Sequence, residues 1–378
     1  MLSNKKAMGL VFPNSFDALV SRMVDLRVMA SLPFASRYRL VDFVLSSMSN
    51  CGIDNVVILP NRNYLSLMDH LGTGREWDLA RKNGGVHIFP PFAENGNKIS
   101  SGRVGTLANI LRLLKERKEK YVVMADTNMA VNFDFNAMID EHIATGADIS
   151  IAYNVQSIPQ SALSSSAVHR DLYYAFDIED GRVTDIHVNP TEGQLNLSMN
   201  YYVIDRELLI NLVQDAFSHG QTHFTRDVLW TKRKELNIHA YRFDGYVSRI
   251  WSISSYFEEN MKLLEDENLD ALFSGNPIYT KVRDDNPTRY IAGAKVKNAM
   301  IADGCVIEGE VENCVLFRGV KIAKGAKVSN CILMQDTVVE AGADLNYIIA
   351  DKDVTFSAGC EMKGTDSYPV YIVKHCHV

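Results

Sequence analysis

From residue 8 to about 255, short apolar runs alternate with stretches of helical spacing. Val56-Val57-Ile58-Leu59 and Tyr121-Val122-Val123-Met124 read as buried strands, and Asp148–Tyr153 and Ser198–Val203 as two more. Between them, Leu107, Ile110, Leu111 and Leu114 fall at helical spacing within 106–120, with Lys and Arg on the opposite face. Strand-helix-strand alternation of this kind predicts a mostly parallel α/β sheet covered by helices. A further helix, about Ser254 to Leu272 and acidic on one side, bridges to the rest of the chain.

The last hundred residues keep a different rhythm. A Gly-small-x-apolar pattern recurs six times, beginning at Gly293, Gly304, Gly319, Gly325, Gly342 and Gly359. A second pattern interleaves with it, placing Asn298, Asn313 and Asn330 15 and 17 residues apart. Repetition on two registers predicts a left-handed parallel β-helix of hexapeptide type, with one apolar residue per side pointing inward. The domain organisation read from these rhythms is a body over 1–255, a helical linker over 256–285 and a β-helix over 286–378.

Composition narrows the function. The 378 residues are 47% apolar and 22% charged, with a net charge of −7 and no basic stripe, which argues against nucleic-acid binding. No uninterrupted apolar run reaches 18 residues, so no membrane span is expected, and a short apolar N-terminal stretch does not make a signal peptide. The chain is expected to be cytoplasmic. None of the six cysteines forms a Cys-x-x-Cys pair, so they read as packing residues and no metal site is expected. His70 and Trp77 read as packing or loop-anchoring residues, and His375 and His377 as a solvated tail. Acyl transfer, common among hexapeptide β-helices, uses a histidine on the coils, and residues 240–374 contain none.

Several stretches carry a resemblance. Pro33-Phe34-Ala35-Ser36-Arg37-Tyr38-Arg39-Leu40-Val41-Asp42-Phe43, preceded by Arg27, is similar to the P-F-G-G-[KR]-Y-R-L-I-D-F block of the ADP-glucose pyrophosphorylases, or glucose-1-phosphate adenylyltransferases. His70 to Gly74, Trp77-Asp78-Leu79, Gly84-Gly85-Val86, Pro90-Pro91, Gly105-Thr106 and Ser255-Tyr256 with Asn260 follow in order. The resemblance implies a nucleotidyltransferase-like sheet domain plus a β-helix, joining ATP and glucose 1-phosphate with the help of Mg2+.

The family's chemical groups do not follow. Its glycine-rich phosphate loop, G-G-x-G-T-R-L, would fall at Asn14–Val20, yet no glycine lies between Gly9 and Gly52. Asp17 adds a negative charge there, Leu19 replaces the loop arginine, and Met29 replaces a lysine. Of two metal carboxylates one survives as Asp126, while Arg249 stands at the other position. The sugar-phosphate segment E-K-P reads Val188-Asn189-Pro190. A single lost oxyanion donor costs roughly a hundred- to a thousandfold in rate, so the losses together imply a catalytically degenerate chain.

The resemblance therefore points to the regulatory, non-catalytic branch, with no cofactor of its own and a catalytic subunit as partner in a hetero- or homo-oligomer. Asp126 is expected to be vestigial, paired to Arg249. Arg27, Arg37 and Arg39 are candidates for binding a phosphorylated effector, or alternatively for structural ion pairs at a subunit contact. Two other readings stay open: an active adenylyltransferase with an atypical loop, and a stand-alone sugar-phosphate sensor.

Overall fold

A computed structural model describes residues 7–90, 102–159 and 173–378. Nine strands form the main sheet: β1 (Ala7–Phe12), β2 (Asn55–Ile58), β3 (Gly85–Ile88), β4 (Tyr121–Asp126), β5 (Ile149–Gln156), β6 (Tyr174–Glu179), β7 (Arg182–Val188), β8 (Leu195–Asp205) and β9 (Ile238–Arg242). Their spatial order is β3-β2-β1-β4-β8-β5-β9-β7-β6, and β8 also bonds β6. β1, β2, β3 and β4 run parallel, as do β5 and β9, while β8 and β7 are reversed. The sheet is thus mostly parallel in strand direction.

Alternation along β1 shows why the strand is central. Met8, Leu10 and Phe12 join one apolar cluster, Ala7 and Val11 the other, so both faces are covered. The helix Leu40–Asn50 packs on the second face and comes close to the strand. A Cβ at Gly9 would lie 2.6 Å from the Met48 sulfur, so that helix approaches because residue 9 has no side chain.

Two expected helices are each split. The 106–120 stretch is Gly102–Ala108 and Leu111–Glu116, with Ile110 off helical geometry at φ −108 and ψ 10. That break keeps Leu107, Ile110 and Leu114 all buried. The 254–272 stretch is Ile253–Lys262 and Asp266–Phe273, the first opened by a capping box in which Ser252 and Ser255 satisfy one another's backbone N–H groups.

The C-terminal third is a parallel β-helix. One face stacks Arg289–Tyr290, Val306–Ile307, Lys321–Ile322, Val338–Val339 and Thr355–Phe356. The other two faces meet at a corner where Asn298, Asn313 and Asn330 sit in the left-handed region at φ 47 to 50. Their side-chain amides form a ladder down the helix: Asn298 to Asn313 (2.8 Å), Asn313 to Asn330 (3.4 Å) and Asn330 to Asn346 (2.9 Å). Asparagine tolerates this backbone and bonds its copies above and below, which explains its periodic recurrence. Cys305, Cys314 and Cys331 point inward among Ile307, Leu316, Val328 and Leu333, and the described cysteines form no disulfides.

The two halves share one apolar cluster. It contains Phe16, Leu19, Val20, Met23, Met29, Leu32, Phe34 and Phe43 from the body and Tyr256 and Phe257 from the helix pair. Val315, Phe317, Ile332, Met334 and Ile349 come from the β-helix. Inside this seam Arg27 forms a buried ion pair with Asp351, and Tyr371 donates to the same carboxylate at 2.5 Å. Burial raises the Asp351 pKa, but Arg27 and Tyr371 outweigh it and hold the carboxyl below its ordinary range.

Breaking a buried pair by removing one partner leaves an uncompensated charge and costs about 3–5 kcal/mol. Arg27→Met should destabilise the chain by that order in urea unfolding, and adding Asp351→Asn should recover part of the loss. Because the folded carboxyl pKa is depressed, the pair contributes fully above about pH 4, and its contribution should fade as pH falls below the ordinary carboxylate range.

Candidate functional site

A cleft of about 270 Å³ opens beside the C-terminal ends of β1 and β4. In a largely parallel sheet this is where loops converge and ligand groups collect. Phe12 and Asp126 end the two strands in register, and Asn14, Ser15 and Phe16 follow β1 over the cleft. Gly102, Arg103 and Thr106 enter from the helix that begins at Gly102, and Asn200, Tyr174, His223, Phe224 and Thr225 close the far side.

Asp126 is fully buried, and its Oδ1 accepts from the Ser15 hydroxyl at 2.8 Å. Its ion-pair partner is Arg103, a correction to the expected pairing with Arg249. Arg103 also lies over the Phe12 ring (4.5 Å) and the Tyr202 ring (5.7 Å). Burial works against its charge, yet the Asp126 carboxylate overrides this and holds the guanidinium above its ordinary pKa. Arg249 instead donates to the Ser198 carbonyl at 2.9 Å and to Asn154 Oδ1 at 2.8 Å, and faces Trp251. Ser248–Arg249 pairs with Met129–Ala130, which turns this side chain toward β5 and β8. Burial lowers its pKa to about 10. Sequence reasoning missed Arg103, since nothing but its place just before Gly105-Thr106 marked it.

The Asn14–Val20 stretch is a second correction. Phe16 takes a left-handed backbone (φ 67) and Asp17–Val24 winds as tight 3-10 turns. The Asp17 carboxylate is buried, with Oδ1 accepting the Met29 N–H and Oδ2 accepting from Asn14, each at 2.8 Å. Its charge therefore satisfies backbone and neighbour instead of facing the cleft. Leu19 and Met29, at the positions of the missing arginine and lysine, belong to the seam cluster.

The three arginines of the 27–39 block have separate settings. Arg27 forms an ion pair with Asp351 within the chain rather than at a subunit contact. Arg39 donates to Ser66 O at 2.7 Å, and burial lowers its pKa to about 10. Arg37 is exposed and lies 5.7 Å from the Tyr38 ring centre. Two β-helix residues join them. Burial, with Arg39 and Arg27 nearby, lowers the Lys352 pKa to about 7. Arg318 is lowered by burial and by Arg37. Neither was visible in the sequence, being some 280 or more positions away from the block. Beside them Asp42 accepts from the Arg39 N–H at 2.9 Å and bonds His70 Nε2 at 2.6 Å, and His70 packs edge-on against the buried Trp77. His375 is exposed and bonds Asp353 at 2.6 Å.

Asp17→Ala removes the acceptor of a buried N–H, which costs about 1–3 kcal/mol. Thermal unfolding should register that loss, whereas a change in nucleotide affinity without loss of stability would place the carboxylate in the cleft after all.

Residues 27–266 match the nucleotidyl transferase family, and residues 282–368 match the GlmU-like, C-terminal hexapeptide family. Among curated relatives, the glycogen biosynthesis protein GlgD of Geobacillus stearothermophilus is 37% identical over 86% of this chain and 83% of its own length. GlgD of Bacillus subtilis (strain 168) is 30% identical over the same shares. The glucose-1-phosphate adenylyltransferase of Geobacillus stearothermophilus is 33% identical over 79% of this chain and 76% of its own. A nucleotidyl transferase body, a hexapeptide β-helix and these relatives together make the chain a member of the ADP-glucose pyrophosphorylase family.

Proposed function

We propose that this chain is the regulatory subunit of an ADP-glucose pyrophosphorylase in glycogen biosynthesis, acting in the cytoplasm by assembly with a catalytic subunit. Its partner uses ATP and Mg2+ to convert glucose 1-phosphate to ADP-glucose and pyrophosphate. The carrying observation is the 3-10 segment Asp17–Val24, whose Leu19, Val20 and Met23 are buried in the seam between the halves. A loop spent on packing cannot close its N–H groups around a triphosphate, which needs glycine at several positions. Among the described residues no helix is long and apolar enough to cross a membrane.

Arg37 and Arg39 from the body, with Lys352 and Arg318 from the β-helix, support a phosphorylated effector in the regulatory reading, since forked donors suit anion recognition. An anion there would bridge body and β-helix and favour one arrangement of the seam.

Mixed with the catalytic subunit, the chain should give a stable complex, expected to be tetrameric, on size exclusion. A coupling of about 1–3 kcal/mol would raise the partner's activity or effector affinity roughly five- to 150-fold. Alone, it should make no detectable ADP-glucose. Synthesis by the pure chain would support an atypical active enzyme, and two separate peaks with unchanged kinetics would support a stand-alone sensor.

Sulfate keeps its charge through neutrality, so it probes the cluster cleanly in calorimetry. Lys352 is protonated below about pH 7, and sulfate affinity should therefore fall as pH rises through that value. Arg37→Ala with Arg39→Ala should weaken it by roughly tenfold or more, from lost charge-assisted bonds. Unchanged affinity would return both arginines to a structural role.

A further inference from the structure

The cleft asks what a divalent cation would meet at Asp126. Its Oδ1 is already engaged twice, by the Ser15 hydroxyl at 2.8 Å and by the Arg103 guanidinium. Its Oδ2 is buried and has no hydrogen-bond partner among the described residues. Tyr201 and Arg249 lie near enough to feel the Asp126 charge. Mg2+ and its relatives take oxygen ligands, hold their waters tightly and are normally bound through carboxylates. Among the described residues lining the cleft the one carboxylate is Asp126, half of it spent, and Arg103 stands against it; the other oxygen donors, such as Ser15, Asn14, Asn200 and Thr225, are neutral hydroxyls and amides. This donor set does not fit a divalent cation.

Arg103 is firmly held in place. Besides the ion pair, its guanidinium lies 4.5 Å from the Phe12 ring centre and 5.7 Å from that of Tyr202. Only 16% of its side chain is exposed, against 1% for Asp126. Arg249 is anchored separately, through Ser198 and Asn154, so neither cation can leave without abandoning buried partners.

We propose that the Arg103 guanidinium stands in place of a divalent cation at Asp126, giving the carboxylate a permanent internal counter-ion and excluding Mg2+ and Mn2+ from the cleft. Exclusion has three sources: the Oδ1 lone pairs are occupied, Oδ2 is out of reach of a hydrated ion, and an entering dication meets two like charges at low dielectric. The device concerns this chain alone and does not depend on any partner subunit, so its failure and that of the regulatory reading are separable.

Mn2+ titration of the full chain, followed by electron paramagnetic resonance, tests it. Wild type and Asp126→Asn should bind Mn2+ identically, since any ion bound by both lies elsewhere. Arg103→Met keeps an apolar stem against the two rings and removes the charge. Mn2+ binding that depends on Asp126 should then appear, with affinity raised roughly tenfold or more, and should vanish in Arg103→Met with Asp126→Asn. Arg103→Lys, which retains a cation, should behave as wild type. If Arg103→Met does not fold, Arg103→Gln takes its place. Asp126-dependent Mn2+ binding by the wild type, or a folded neutral variant that gains none, would overturn the proposal.

Discussion

The ion pair of Arg27 and Asp351 sits inside an apolar cluster, joining residues 324 positions apart across the seam between the sheet body and the β-helix. Each ion taken from water carries a penalty of several kcal/mol, offset only when the partners stay in contact and their remaining valences are met. Tyr371 meets one of those of Asp351, and the Lys352 N–H meets another at 2.7 Å. Any sliding of one half on the other would separate the charges in a medium that cannot solvate them. The pair thus ties the two halves together at the apolar cluster that Phe34, Tyr256, Phe257, Phe317 and Met334 share.

That junction constrains the segment ahead of Arg27. Phe16, Leu19, Val20 and Met23 fill the space beside the pair, and burying an apolar side chain of this size contributes about 1.5–3 kcal/mol. Asp17 completes the arrangement by accepting the Met29 N–H, so the turn that begins at Phe16 is tied to the short 3-10 turn Met29–Ser31 that leads into the seam. Packing and phosphate cradling make opposite demands on one stretch of chain. The first needs bulky apolar residues with fixed backbone, the second glycines with N–H groups turned outward. Here the first demand has won, and Leu19, Val20 and Met23 are spent on the seam.

The same seam gathers positive charge. Arg39, Lys352 and Arg318 are each held below their ordinary pKa by burial, with like charges adding to it, and Arg37 stands at their edge. Arg39 donates to Ser66, and Arg318 donates to the Lys281 carbonyl with Asp285 3.8 Å away. In the cleft, Asp126 and Arg103 pair with one another.

Much of this was legible in the residues. Apolar runs at Val56–Leu59 and Tyr121–Met124 mark central strands because both faces of a parallel strand are covered. The asparagines at 298, 313 and 330 mark coil corners because a short amide tolerates the left-handed backbone and bonds its own repeats. The absence of glycine from 10 to 51 already removed the phosphate loop, since backbone conformation there is a local property of residue type. What the sequence alone determined, then, were features set by local periodicity or conformational freedom, apart from the breaks within the 106–120 and 254–272 helices. The tertiary structure decided which distant side chains meet: Arg103 and not Arg249 at Asp126, Asp17 turned to Met29, Arg27 claimed by Asp351, and Lys352 and Arg318 brought beside Arg39 and Arg37. Those meetings depend on crossovers and on the packing of one half against the other, and a charge carries no mark in the sequence of the partner that burial will select for it.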